Sequence, residues 1–415
     1  MASAMASEED WRRRLTASTR FDNIQKIKNA AQHTALTASA FTLENEAYLS
    51  SSSRDDYDAA CAVLSRPPVE AAVDAAHGAI VREQPAPEAP TLFAAGSHGG
   101  HDGNDADDVQ KHTIGSYKNC RYVASGVTAE VYRSADRALK VVTETKDMQP
   151  HDHVREAKIL RLLRGKPCII QLLETFRDRE LHFVLVFPYM PWSLEAVLRQ
   201  TEAAALAPAR LCRYFADIFR ALAAIHAEGI LHRDVKPSAV LLALPDGPAY
   251  LSDFGTAWHP ALSAAVEPAD GKVLEIGTGP YRAPEALFGN QAYGASVDMW
   301  AAGAMLAECA RAARRPLFDS RPAHEDGSQL GLILSIFKTL GTPTRATWPE
   351  AAAFRTPPFD MYRVFEPRSW EDILPDVDPA IRALVAKLVR YDSARATAEE
   401  ALSDIEQLAA TNSKE

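Results

Sequence analysis

Apolar positions in this chain of 415 residues fall into distinct patterns. Val131 and Tyr132, followed by the run Ala138-Leu139-Lys140-Val141-Val142, predict successive strands of a small sheet. Val154 to Leu163 predicts a helix, with Ile159, Leu162 and Leu163 on its apolar side. His182 to Met190 reads HFVLVFPYM, apolar almost throughout, as a strand buried on both faces would be. Leu211 to Ile225 has strong helical periodicity, and Gly229 is placed to end that helix. Upstream the pattern thins. Phe21, Ile24 and Ile27 recur at helical spacing, as do Tyr57, Ala60 and Leu64, but neither set can bury much surface alone.

Composition separates residues 1–116 from the rest. Ala, Ser, His, Gly and Asp dominate there, and turn-forming residues cluster at Arg66-Pro67-Pro68 and Gln84-Pro85-Ala86-Pro87. Gly96 to Gly103 reads as a flexible linker, so this extension is expected to be largely disordered with short helices. His98, His101, Asp102, Asp105 and His112 do not make a calcium loop, because Ala106 stands where an oxygen ligand belongs. A solvated linker is expected instead, and Arg12-Arg13-Arg14-Leu15 is likewise expected to be a solvated basic run.

Charge and cysteine usage narrow the function classes. A formal net charge of -10 argues against nucleic-acid binding driven by phosphate contacts. The five cysteines show no CxxC spacing and read as reduced thiols of an intracellular protein. No apolar run reaches bilayer-spanning length, and the N-terminus lacks the apolar core of a secretory signal. A nuclear or cytoplasmic address, with no membrane association, is expected.

The chemistry is concentrated after residue 117. His232-Arg233-Asp234-Val235-Lys236-Pro237-Ser238-Ala239 resembles the catalytic loop of protein kinases. Asp253-Phe254-Gly255, Pro280 to Glu285, Ser296 to Trp300, and Tyr391-Asp392 with Arg395 resemble further kinase motifs, in the kinase order and at kinase spacings. Upstream, Arg121 to Val131 stands where kinases carry the glycine-rich phosphate loop. Its three glycine positions are Ala124, Gly126 and Ala129. The resemblance covers about residues 117–405 and implies an α+β, bilobal protein kinase fold. It places a small-sheet N-lobe at 117–188, a mainly helical C-lobe at 191–405, a tail at 406–415, and ATP with Mg2+ in the cleft.

That resemblance assigns roles residue by residue. Asp234 would accept the proton of the substrate hydroxyl and Lys236 would steady the phosphoryl group. Lys140 would pair with the phosphates and with Glu156 on the next helix. Gly126, Val131 and Ala138 would line the nucleotide site, and main-chain groups around Tyr189 and Met190 would bind adenine, with Phe187 behind. Asp253 would hold magnesium. Ala239 replaces the Asn that shares this task in the family, and a methyl group cannot coordinate a metal. Asp298 would brace the catalytic loop, and Arg395 would pair with Glu285.

Tyr281 to Glu285, Pro316-Leu317-Phe318, Leu340 to Thr344, Trp348-Pro349 and Leu374-Pro375 resemble the cyclin-dependent kinases in particular. Pro150-His151-Asp152-His153-Val154-Arg155-Glu156 stands at their cyclin-contacting helix, but two histidines and an Asp replace its middle, which argues against cyclin dependence. Those kinases are switched on by a phosphothreonine clamped by three arginines. Here the phosphoacceptor position is Val273, Arg155 and Arg233 remain, and the third arginine is Trp258. An activation segment held without phosphorylation, by packing of Val273, Leu274 and Trp258, is the expectation, with Thr278 kept against Asp234 and Lys236. This pattern resembles the fungal single-subunit CDK-activating kinases, which implies an ATP-dependent serine/threonine kinase acting on protein substrates, other cyclin-dependent kinases among them. A weakly active or inactive chain serving as a binding or scaffold protein is the alternative.

Overall fold

The structure, a computed structural model, describes residues 53–65, 112–126, 128–143, 149–200, 206–320, 329–359 and 363–412, with a few scattered positions before residue 52. The linker at 96–103, the candidate ligands His98, His101, Asp102 and Asp105, and the run Arg12 to Leu15 lie outside the described residues. The expectations placed on them lie outside as well. His112 is described. It opens the first strand and meets the Tyr132 ring edge-on at 5.8 Å.

The chain divides into two compact units. The first gathers residues 1–86, 319–344 and 357–367. In it, α1 (Arg54–Leu64) is capped by the Ser53 side chain, which accepts from the Asp56 amide at 3.1 Å. Tyr57 and Cys61, one turn apart, are buried with Ala47, while Ala60 and Leu64 pack at the edge of that cluster. The same unit holds a helix at Gln329–Leu340 that buries Leu332, Ile333, Ile336 and Phe337.

The second unit, residues 87–318, 345–356 and 368–415, has the protein kinase fold. Its sheet is antiparallel, in the order β1-β2-β3-β4-β6-β5. The strands are β1 (His112–Ile114), β2 (Tyr117–Ser125), β3 (Ala129–Ser134), β4 (Arg137–Val142), β5 (Glu174–Arg177) and β6 (Phe183–Pro188). Side chains alternate across a strand, so register decides which residues share a face. Ile114, Cys120, Leu139, Val141, Val184 and Val186 form the core on one face. Lys140 pairs with Val131 and Leu185, and Ala138 pairs with Phe187. The opposite face therefore carries Val131, Ala138, Lys140 and Phe187 together.

Helix α2 (His153–Leu162) follows β4 and is capped by Asp152, whose side chain accepts from the Arg155 amide at 2.8 Å. It buries Arg155, Glu156, Ile159 and Leu160, with Leu163 at its C-cap, but leaves Leu162 58% exposed. The apolar side expected for Leu162 is thus corrected. The buried stripe runs through 156, 159, 160 and 163, and at 100° per residue position 162 falls off it. The larger lobe comprises α3 (Leu194–Gln200), α4 (Pro208–His226), α5 (Ser296–Ala310), α6 (Pro379–Leu388) and α7 (Ala398–Asn412), with a small sheet of β7 (Trp192–Ser193), β8 (Val240–Leu242) and β9 (Ala249–Leu251). Helix α4 has the expected apolar stripe, and Gly229 closes the turn after it at φ +71. Helix α5 is buried from Val297 to Ala310, as a helix at the centre of a lobe must be. It approaches α6 so closely at Gly303 that a Cβ there would lie 2.6 Å from that of Leu388. Arg395 forks onto Glu285 at 2.5 and 2.9 Å and ties the end of the chain to the segment before α5.

Candidate active site

β4 and α2 bring two opposite charges together where neither can reach water. Lys140 Nζ donates to both oxygens of Glu156 at 2.9 Å and to Asp253 Oδ1 at 3.0 Å. Lys140 is 2% and Glu156 1% exposed, whereas the Asp253 side chain is 24% exposed. Burial alone would push Lys140 down, but Asp253 and Glu156 hold its ammonium well above the usual lysine range. Burial opposes ionisation of the two carboxylates, but Lys140 together with His153 at Glu156, and together with Lys236 at Asp253, holds both below the usual carboxylate range.

Two participants escaped the sequence reading. His153 Nδ1 lies 2.9 Å from Glu156 Oε2, and its Nε2 lies 2.8 Å from Thr128 Oγ1. A carboxylate only accepts, so Nδ1 carries a proton and donates. His153 thus connects the turn between β2 and β3 to the carboxylate that orients Lys140. The signal was present: His153 and Glu156 are i and i+3 on one helix, spacing that puts them side by side.

The catalytic loop is braced from below. Asp298 accepts from the His232 and Arg233 amides, both at 2.8 Å, and holds Arg233 at φ +70. His232 donates through Nε2 to the Ser252 carbonyl at 2.8 Å, and its Nδ1 accepts from the Asp234 amide at 3.3 Å. Asp234 then takes the Thr278 hydroxyl on Oδ1 at 2.6 Å and Lys236 on Oδ2 at 2.6 Å, and Lys236 also donates to Thr278 at 2.9 Å. Burial lowers the Lys236 pKa, but Asp234 and Asp253 raise it further, so the ammonium is retained.

The nucleotide side is less regular. The Gly126 amide donates a hydrogen bond to the Ala129 carbonyl at 2.7 Å. Ala124 and Ala129 sit in paired strand positions opposite Val131 and Val142, where an alanine carries no backbone penalty. The Tyr189 amide donates to the Asp136 carbonyl at 2.9 Å, and its ring lies 4.2 Å from the Arg133 guanidinium. That amide is therefore engaged within the protein. Ala239 is buried, and its carbonyl accepts from both the amide and the hydroxyl of Ser252 at 2.8 Å.

The activation segment corrects the expectation of apolar packing. Val273 and Leu274 are only half-buried. Arg233 instead forks onto Glu267 at 2.7 and 3.1 Å, and Arg155 reaches the same carboxylate at 3.3 Å. Trp258 is buried as expected, but its Nε1 donates to the Glu267 carbonyl at 2.9 Å. Nothing local marks Glu267 in the sequence, because its Ala- and Pro-rich neighbourhood reads as exposed.

A protein kinase domain family matches residues 117–405. Serine/threonine-protein kinase csk1 of Schizosaccharomyces pombe is 33% identical over 291 residues, covering 68% of this chain and 91% of that protein. Cyclin-dependent kinase 7 of Carassius auratus is 32% identical over 298 residues, covering 69% of this chain and 81% of that protein. Among solved structures, the CAK complex from Chaetomium thermophilum bound to ATP-γ-S is similar with a TM-score of 0.58 at 31% identity, over 68% of this chain and 88% of that one. The matched span contains the Lys140–Glu156 pair, the braced loop of Asp234 and the Asp253 turn, and the chain belongs to the protein kinase family, as a serine/threonine kinase of the cyclin-dependent-kinase-like type.

Proposed function

We propose that this kinase transfers the γ-phosphoryl group of ATP to the activation-segment threonine of cyclin-dependent kinases and does so without a cyclin. The observation that carries the reading is the closed Lys140–Glu156–Asp253 contact in a chain whose phosphoacceptor position is Val273. Likeness to csk1 and to the CAK complex supports the choice of substrate.

Lys140, fixed by Glu156, presents a localised positive charge to the nucleotide phosphates. Asp234 receives the hydroxyl proton on a carboxylate already oriented by Thr278 and Lys236. Magnesium, when bound with ATP, neutralises charge on the phosphate oxygens. Asp253 suits it, being a carboxylate held ionised and open to the cleft. Ala239 adds no side-chain oxygen, and its carbonyl is turned to Ser252. A single protein carboxylate completed by phosphates and water is within what magnesium accepts.

The test is transfer to a purified cyclin-dependent kinase with no cyclin added. Phosphate on the activation-segment threonine is the expected product; none, beside a working positive control, sinks the proposal. Ala239→Asn should lower the magnesium needed for ATP to stabilise the fold by on the order of tenfold. A thermal-shift titration reads this directly, and a higher magnesium requirement would contradict the assignment of position 239.

A further inference from the structure

We infer that Glu267 is this kinase's built-in substitute for an activating phosphate, a positioning residue whose carboxylate clamps Arg155 of α2 and Arg233 of the catalytic loop so that activity needs no phosphorylation of the activation segment. The inference rests on the kinase activity, not on the choice of substrate.

Glu267 is buried while its neighbours are not. Val266 is 59% exposed, and Ala264, Ala265, Pro268 and Ala269 are exposed too. A surface loop does not bury a carboxylate without cause, because desolvation costs several kcal/mol unless partners offset it. Here the partners are unusually complete. Oε1 accepts from Arg233 at 2.7 Å and from the Val273 amide at 2.9 Å. Oε2 accepts from Arg233 at 3.1 Å and from Arg155 at 3.3 Å. The residue at the phosphoacceptor position of the family thus contributes its backbone to the clamp while Glu267 contributes the charge. Burial opposes ionisation of Glu267, but Arg233 and the Val273 amide hold its pKa below the usual carboxylate range.

The arginine set shrinks along with the charge of the anion, and Lys272 stands beside the clamp as a further cation. A phosphate carries about two negative charges at neutral pH. Relative to a phosphate held by three arginines, this site has one negative charge and one guanidinium fewer. Trp258 stands where the third arginine would be. Its ring lies 4.7 Å from Lys272 Nζ, and the Tyr293 ring lies 5.3 Å from the same ammonium. Tyr293 accepts from Arg233 at 3.1 Å and donates to the Val273 carbonyl at 2.6 Å, closing the cluster.

The clamp reaches the chemistry through adjacent residues. Arg155 precedes Glu156, which holds Lys140. Arg233 precedes Asp234, and its Nε donates to the Thr256 carbonyl at 2.6 Å, just beyond Asp253-Phe254-Gly255. One carboxylate therefore sets α2, the catalytic loop and the activation segment relative to one another.

The test uses the full chain made in a bacterial host and treated with phosphatase, assayed for ATP turnover and for transfer to a generic basic protein. Neither readout depends on cyclin-dependent kinases as substrates. Dephosphorylated wild type should keep its full rate. Glu267→Gln, which removes charge but little volume, should lower kcat about 10- to 100-fold with the KM for ATP within about threefold. Glu267→Asp should lie above Glu267→Gln. Loss of wild-type activity on phosphatase treatment, a kcat of Glu267→Gln within twofold of wild type, or equal rates for the Gln and Asp variants would each overturn the inference. Should Glu267→Gln not fold, Trp258→Phe keeps one aromatic ring beside Lys272 while removing the indole N–H to the Glu267 carbonyl along with the pyrrole part of the ring. A fall in kcat with KM unchanged is expected, and no fall overturns the inference.

Discussion

Replacing Asp234 by Ala should lower phosphoryl transfer by about 10³-fold, within the range for loss of a positioned general base, while ATP binding stays nearly intact. The separation follows from the geometry. Asp234 contacts Thr278 and Lys236, and no contact joins it to Lys140 or Glu156 among the described residues. The Lys140–Glu156–Asp253 contact, proposed to face the nucleotide, is thus left whole. What is lost is the acceptor for the hydroxyl proton, together with the anchor that orients Lys236 and Thr278. Single-turnover transfer with saturating ATP measures the first effect, and an ATP thermal shift measures the second. Activity within tenfold of wild type would remove Asp234 from the role of base, and loss of the thermal shift would show that the two halves of the cleft are not separable.

Side chains whose position follows from a regular element were legible from the sequence. Alternation in β4 puts Ala138 and Lys140 on one face and Leu139 and Val141 on the other, which is how the structure has them. The kinase resemblance pointed Glu156 to Lys140, and helical spacing gave α4 its apolar stripe. Two motifs far apart in the chain, Glu285 and Arg395, meet because each is fixed to its own helical segment. Contacts made by irregular backbone were not legible. The Glu267 carboxylate meets Arg155 across 112 positions of sequence, and no periodicity constrains the loop between Trp258 and Val273. Tyr189 lost its amide to Asp136 through a turn-to-hinge contact that strand pattern does not encode. Leu162 departs from its expected side for a different reason. Leu160, Leu162 and Leu163 are chemically alike, and only the angle set by Glu156 and its partner decides which of them turn inward.

One of the two histidines that weaken the likeness to a cyclin-contacting helix has a further consequence. His153 takes the hydrogen bond to Glu156 and reaches Thr128, so the carboxylate is held from the helix side and from the ammonium side together. With Asp152 capping α2 and its amide bonded to the Gly255 carbonyl at 3.0 Å, the helix is anchored to the Asp253 turn by its own chain. Helix position, which in cyclin-dependent kinases is set by a partner, here has internal restraints at its N-terminus, and Glu267 adds one through Arg155.

Lys140→Met should abolish ATP-dependent stabilisation and lower the folding stability by about 3–5 kcal/mol near neutral pH, the cost of leaving buried charge uncompensated. It is expected to be harsher than Glu156→Gln, because after Glu156→Gln the ammonium still has Asp253 at 3.0 Å. Without Lys140, Glu156 retains His153, and Asp253 faces the cleft with Lys236 as its remaining cation. The pH dependence has a definite sign. In the wild type both carboxylates have lowered pKa values, so their stabilising contribution is present above the unfolded carboxylate range and is lost as pH falls through the folded values. In the variant, desolvation of Glu156 is no longer offset by the ammonium. Its folded-state pKa then rises, and stability is lost as pH rises instead. The difference in melting temperature between wild type and Lys140→Met, measured in metal-free buffer without nucleotide, should therefore widen from pH 5 to pH 8. A difference that narrows over that interval would mean that Lys140 is not the charge that keeps Glu156 ionised.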